Sequence, residues 1–193
     1  FAFAWLSELC DVVGPRLAGT PAYDRAAAWA VESLRGAGFD RVWTEPVTVP
    51  AWDRGAERAR VTAPVDEPLP IAAFGGSVGT APGGLEAEVL TVTSFAELEA
   101  RSAEARGRVV VFDQPWQGYG ATVPYRSRGA SAAARHGAVA VLVRSLTGAS
   151  LATLHTGVMH YEDGVPRIPA AAITVEDAGR LRRLRERGAT VRV

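Results

Sequence analysis

Apolar positions recur at helical spacing twice near the start of the chain. Phe3, Leu6, Cys10 and Val13 fall near one stripe, and Gly14-Pro15 ends it. Thr20 has N-cap chemistry with Pro21 at the first helical position. Tyr23, Ala27, Ala30, Val31 and Leu34 then share one face, and Gly36 and Gly38 stop this second helix. Arg41 to Val49 has β-rich composition and predicts a strand, which Pro46 confines to a sheet edge or a bulge. A single strand needs partners. Helix, helix, strand therefore reads as a piece of a domain, over residues 1–53.

From about Asp53 the pattern shortens. Glu57 to Ala63 and Pro68 to Phe74 predict short strands, and Gly75 to Gly84 a glycine-rich turn. Leu85 to Thr93 predicts another strand. Ser94 with Glu97 forms a capping box for a helix ending near Gly107. Arg108 to Phe112 predicts a strand, Pro124 to His136 a helix, and Ala138 to Val143 a strand apolar enough to be covered on both faces. Ile168 to Ile173 is a further strand. Thr174 with Asp177 opens a last helix, which Gly188 stops before Ala189 to Val193 turns extended. Strands first, then β–α alternation, predict a compact α/β domain over residues 54–193, about 140 residues and of ordinary domain size.

Composition narrows the function. Hydrophobic residues make up 48% and charged residues 22% of the 193 positions, which fits a globular chain. Cations and anions balance at 21 each. That balance argues against nucleic acid as a partner, which asks for an excess of cations. Lys and Asn are absent, which excludes a Walker lysine, a Schiff-base lysine and an N-glycosylation acceptor. Cys10 is the only cysteine, so neither an internal disulfide nor a cysteine zinc cluster forms. It reads as a buried small hydrophobe on the first helix. No apolar run approaches the ~20 residues of a membrane span, and no signal peptide is read at the start.

The chemistry-bearing candidates are few. Gly75-Gly76-Ser77-Val78-Gly79 matches the nucleophile turn of serine hydrolases, with His136 or His155 as its base. That turn requires a helix directly after it, and Thr80-Ala81-Pro82-Gly83-Gly84 leads into a strand instead. His136 sits at a helix end, where a cation meets the dipole favourably. His155 and His160 stand five apart in a loop, a spacing unlike the i, i+4 pair of helical zinc sites. His155 and Tyr161 read either as ligand-contacting loop residues or as plain surface. Trp116, Tyr119 and Tyr125 read as cleft or core aromatics. The arginines of the last helix (Arg180, Arg182, Arg183, Arg185 and Arg187) read as a solvated face.

The residue string also resembles a known family. Gly14-Pro15-Arg16-Leu17 with Ala22-Tyr23, then Gly75 through Thr80, carry part of the likeness. Tyr125-Arg126, Gly129-Ala130, Arg144-Ser145 and His155-Thr156-Gly157 continue it. The most specific stretch runs from Tyr161 through Ala178, with Asp163-Gly164-Val165-Pro166 and Ile173-Thr174-Val175-Glu176-Asp177. These residues resemble zinc exopeptidases of the carboxypeptidase Q (plasma glutamate carboxypeptidase) type, aminopeptidase-like enzymes with an inserted protease-associated domain. The resemblance implies that residues 1–53 open the catalytic α/β domain. It implies that residues 54–193 form the protease-associated insertion, a swivelling β/β/α type with a mixed sheet and flanking helices. In that family two zinc ions are held by His, Asp and Glu after the insertion, and a Glu there is the general base. None of those ligands carries over to a residue here, so neither a metal ligand nor a catalytic residue is expected in this chain. The implied role is non-catalytic: covering the active-site cleft and shaping access of peptide substrates, or binding a partner subunit. His155, Thr156 and Tyr161 become the substrate-cleft candidates. The implied partners are the rest of the catalytic domain and a peptide, with homodimerisation through uncovered helix faces as a further option. A stand-alone interaction module and a serine hydrolase using Ser77 are the alternatives.

Overall fold

The computed structural model describes residues 1–149 and 151–193. The chain divides into two compact units, Phe1–Asp53 and Arg54–Val193.

In the first unit, α1 (Ala2–Glu8) runs into a π-helical turn, Leu9–Val13, closed by Gly14 at φ 74°. The wide turn breaks the expected stripe. Trp5, Leu9 and Val13 are half-buried, and Trp5 meets Trp29 of α2 (Pro21–Gly36) edge-on at 6.1 Å. Phe3, Leu6 and Cys10 lie exposed, which corrects the reading of Cys10 as buried. Thr20 caps α2 as expected, its hydroxyl accepting from the Tyr23 N–H at 3.4 Å. The strand predicted over Arg41 to Val49 does not form: residues 41–49 carry no ladder hydrogen bonds. Among the described residues the unit contains no other strand to pair with, and Pro46 lacks a donor. No residue of this unit is fully buried.

The second unit is built on a five-stranded sheet. Its strands are β3 (Ala72–Ala73), β4 (Val89–Val92), β5 (Val109–Phe112), β6 (Ala140–Arg144) and β7 (Ala170–Ile173). The order is β3-β7-β6-β5-β4, with β4 to β7 parallel and β3 antiparallel at one edge. Strands β1 (Arg60–Val61) and β2 (Glu67–Pro68) make a separate antiparallel pair. The last residues become extended as predicted. The Val89 N–H donates to Val191 O, and the Thr62 N–H donates to Arg192 O, each at 2.9 Å.

Side-chain alternation splits the core across the two sheet faces. Leu90, Val92, Val110, Phe112, Val141, Val143 and Ala172 face α3 (Phe95–Ala100), α4 (Ser102–Ala105) and α5 (Tyr119–Arg135). Val89, Val109, Val111, Leu142, Ala171 and Ile173 face α6 (Val175–Glu186), Val61, Leu69 and Val191. Every residue of β5 and β7 is buried, the run expected of strands covered on both sides. The predicted caps hold. Ser94 Oγ accepts from the Glu97 N–H at 3.0 Å, and Thr174 Oγ1 from the Asp177 N–H at 3.0 Å. Helix α5 starts five residues before Pro124, so that proline lies inside the helix. Thr122 Oγ1 donates to Gly118 O and Tyr119 O in this first stretch.

Candidate functional site at the carboxyl ends of the parallel strands

Parallel sheets collect their loops, and so their binding residues, at the carboxyl ends of the strands. Here each of three strands ends on a buried polar residue. Asp113 follows β5, Ser145 follows β6 and Thr174 follows β7, and Gln114 beside Asp113 is buried too. Asp113 is only 2% exposed. It accepts from Arg144 Nη1 at 3.0 Å and from Arg182 Nε at 2.7 Å. Gln114 Nε2 donates to Arg144 O at 3.0 Å, while its Oε1 is buried without a partner among the described residues.

Ser145 fixes the long loop after β6. Its hydroxyl donates to Ile173 O at 2.8 Å and accepts from the His155 N–H at 2.9 Å. The anchored His155 ring stands edge-on to Tyr119, with centroids 5.6 Å apart. Arg126, one face of α5 below Tyr119, sends Nη1 to Tyr119 Oη at 3.0 Å and to Thr156 O at 3.2 Å. His155 and Thr156 are thus brought together, and Tyr119 and Arg126 join them. The sequence marked Arg126 only as part of a resemblance. Its place at i+7 from Tyr119 on one helix is the signal that could have found it.

The other candidates make different contacts. The Tyr161 hydroxyl donates to Ile168 O at 2.6 Å and accepts from the Val78 N–H at 3.0 Å, which pins the glycine-rich turn. Ser77 Oγ donates to Val78 O and accepts from the Ala170 N–H, each at 2.9 Å. No helix follows Ser77; the next is α3. Its hydroxyl proton points at a carbonyl, so the nucleophile geometry is not built. His136 caps the end of α5 and meets Glu99 at 3.0 Å, and His160 is exposed. Tyr125 is core, stacked on Phe95 at 4.5 Å, whereas Trp116 and Tyr119 are open to solvent. The arginine face of α6 is more than solvated: Arg182 holds Asp113, and Arg180 meets Glu67 at 2.7 Å. Among the described residues no group of three or more His, Cys, Asp or Glu is placed to hold a metal ion. A zinc site does not fit onto these residues, and no step through zinc is assigned to them.

No protein-family model matches the chain. Solved structures do. A peptidase M28 precursor from Shewanella amazonensis SB2B superposes with a TM-score of 0.90 at 38% identity, over 98% of this chain and 45% of that one. A zinc aminopeptidase from Bacillus subtilis shares the fold at a TM-score of 0.67 and 23% identity, over 99% of this chain and 41% of that one. In class, the mixed α/β fold matches a segment of these peptidase structures. More particularly, the chain is similar to carboxypeptidase Q: it is 46% identical to the Homo sapiens protein over 183 residues, which is 95% of this chain. The chain spans 39% of the length of that relative.

Proposed function

We propose that the chain is the non-catalytic covering part of a zinc-dependent exopeptidase acting on small peptides. The second unit is its protease-associated domain, which narrows the active-site cleft and shapes substrate access. The first unit is a portion of the catalytic domain. The observation that carries this reading is the 46% identity to carboxypeptidase Q over 95% of the chain, against 39% of that relative. On this reading the catalytic zinc ions are held by residues outside this chain. The first unit supports the reading from another side. Phe3, Leu6, Val12, Phe39 and Trp43 are each more than half exposed. So many large apolar side chains in the open call for a covering surface, and the rest of the catalytic domain supplies it.

His155 and Thr156 lie on the loop that faces substrate. The test uses the full-length protein. His155→Ala is expected to lower kcat/KM about tenfold for some peptides and less for others, since a contact outside the reacting centre acts through particular substrates. Unchanged kcat/KM across a peptide series would remove His155 from the cleft and weigh against the covering role.

A further inference from the structure

The loop after β6 is held by side chains. From Gly148 to Thr156, among the described residues, no backbone–backbone hydrogen bond ties the loop to the sheet or the helices. Side chains take that place. The Ala149 N–H donates to Thr147 Oγ1 at 3.1 Å, the Ala152 N–H to Glu176 Oε1 at 3.0 Å and the His155 N–H to Ser145 Oγ at 2.9 Å. Thr156 O accepts from Arg126 Nη1 at 3.2 Å. Of these anchors only Ser145 is fully buried. Thr147 lies in the loop itself, Glu176 is exposed, and Arg126 reaches out on a long, half-buried side chain.

The Ser145 hydroxyl has its direction fixed. A serine hydroxyl carries one proton and two lone pairs. The proton goes to Ile173 O at 2.8 Å, which leaves a lone pair for the His155 N–H. Ile173 O also accepts from the Ser145 N–H at 2.9 Å. Without the hydroxyl, Ile173 O therefore keeps a partner and the β6–β7 ladder stays complete. The group left unpaired is the His155 N–H. The His155 ring follows that backbone: it stands edge-on to Tyr119 with Nδ1 buried, so a displaced backbone takes the ring out of its seat.

We propose that Ser145 is a positioning residue. It seats the His155 backbone and, through it, sets which peptides the cleft accepts. The choice of peptides rests on the covering role proposed above; the hold of Ser145 on His155 does not.

Two measurements test this. Amide hydrogen exchange on the 193-residue chain reads the opening of single hydrogen bonds. The His155 amide is expected to be protected in the wild type. In Ser145→Ala it is expected to exchange at least about tenfold faster, with the β6 and β7 amides unchanged. Peptide hydrolysis by the full-length protein is then compared for Ser145→Ala, His155→Ala and the double variant. Ser145→Ala is expected to lower kcat/KM about fivefold for the peptides that His155→Ala impairs, and to spare those it spares. The double variant is expected to be no worse than His155→Ala, because both changes remove one contact. A merely structural role would lower every peptide alike. An unprotected His155 amide in the wild type, or unchanged exchange in a folded Ser145→Ala chain, would overturn the proposal. So would an equal loss across all peptides, losses that multiply in the double variant, or selective loss in His155→Ala with none in Ser145→Ala. Protection in the wild type needs no variant, so it decides even where Ser145→Ala does not fold. Faster exchange in Ser145→Ala together with unchanged hydrolysis by both single variants upholds the hold on His155 and refutes the covering role instead.

Discussion

Replacing Asp113 with Ala removes the carboxylate that Arg144 and Arg182 share, leaving Arg182 with Glu186 as its remaining partner. Asp113 is 2% exposed and ties β5 to Arg144 at the end of β6 and to Arg182 on α6. Removing one partner of a buried ion pair costs about 3–5 kcal/mol, because the remaining charge is left uncompensated. Arg144 and Arg182 keep 23% and 39% of their side-chain surface in solvent, so both rehydrate in part. That places the expected loss at the low end, about 3 kcal/mol. In a chain of this size it lowers Tm by roughly 6–12 °C. Urea unfolding followed by far-UV circular dichroism measures the loss. A double-mutant cycle of Asp113→Ala with Arg182→Ala isolates their coupling, expected above about 1 kcal/mol. A loss under about 1 kcal/mol with no coupling would refute the view that this carboxylate holds α6 to the sheet.

Two further outcomes follow from the same core and its caps. Burial pushes the Glu97 carboxyl up, but hydrogen bonds from Thr93 and Arg101 outweigh it and hold its pKa below the usual carboxylate value. A depressed folded pKa stabilises above the unfolded value and loses that contribution as pH falls through the folded one. Wild type is therefore expected to lose stability against Glu97→Gln between about pH 5 and pH 3, read as urea midpoints; parallel pH profiles would contradict this. Gly129→Ala gains about 1 kcal/mol of helix propensity, but its Cβ would meet Phe112 Cε2 at 3.1 Å. The Phe112 ring is held between Phe95 at 5.3 Å and Tyr125 at 5.4 Å, so it cannot yield. Overpacking of about 1–3 kcal/mol is expected to win, giving a net loss near 1 kcal/mol; a net gain in thermal stability would show that the ring moves.

Most of the second unit was legible because its signals are local. Alternation, capping residues and apolar runs marked β4 to β7, α3 and α6 within a few residues. The misses came from partners that spacing does not encode. Arg41 to Val49 has strand composition but, among the described residues of its unit, no strand to pair with. Cys10 has helical spacing, but the π-helical turn and the Trp5–Trp29 contact chose another face. Arg182 looked like a solvated arginine because its partner lies 69 residues away. The candidate site shows the same division. His155 and Thr156 stood out as polar residues in a loop. Arg126 needed the fold, since only there do Tyr119, Thr156 and Gly157 close around it.

The covering role makes its sharpest claim about metal. Zinc content by mass spectrometry and peptide hydrolysis should be measured side by side on the 193-residue chain and on the full-length protein. Two zinc ions and hydrolysis are expected for the full-length protein, and neither stoichiometric zinc nor hydrolysis for the chain. Stoichiometric zinc in the chain together with turnover of a small peptide would contradict it.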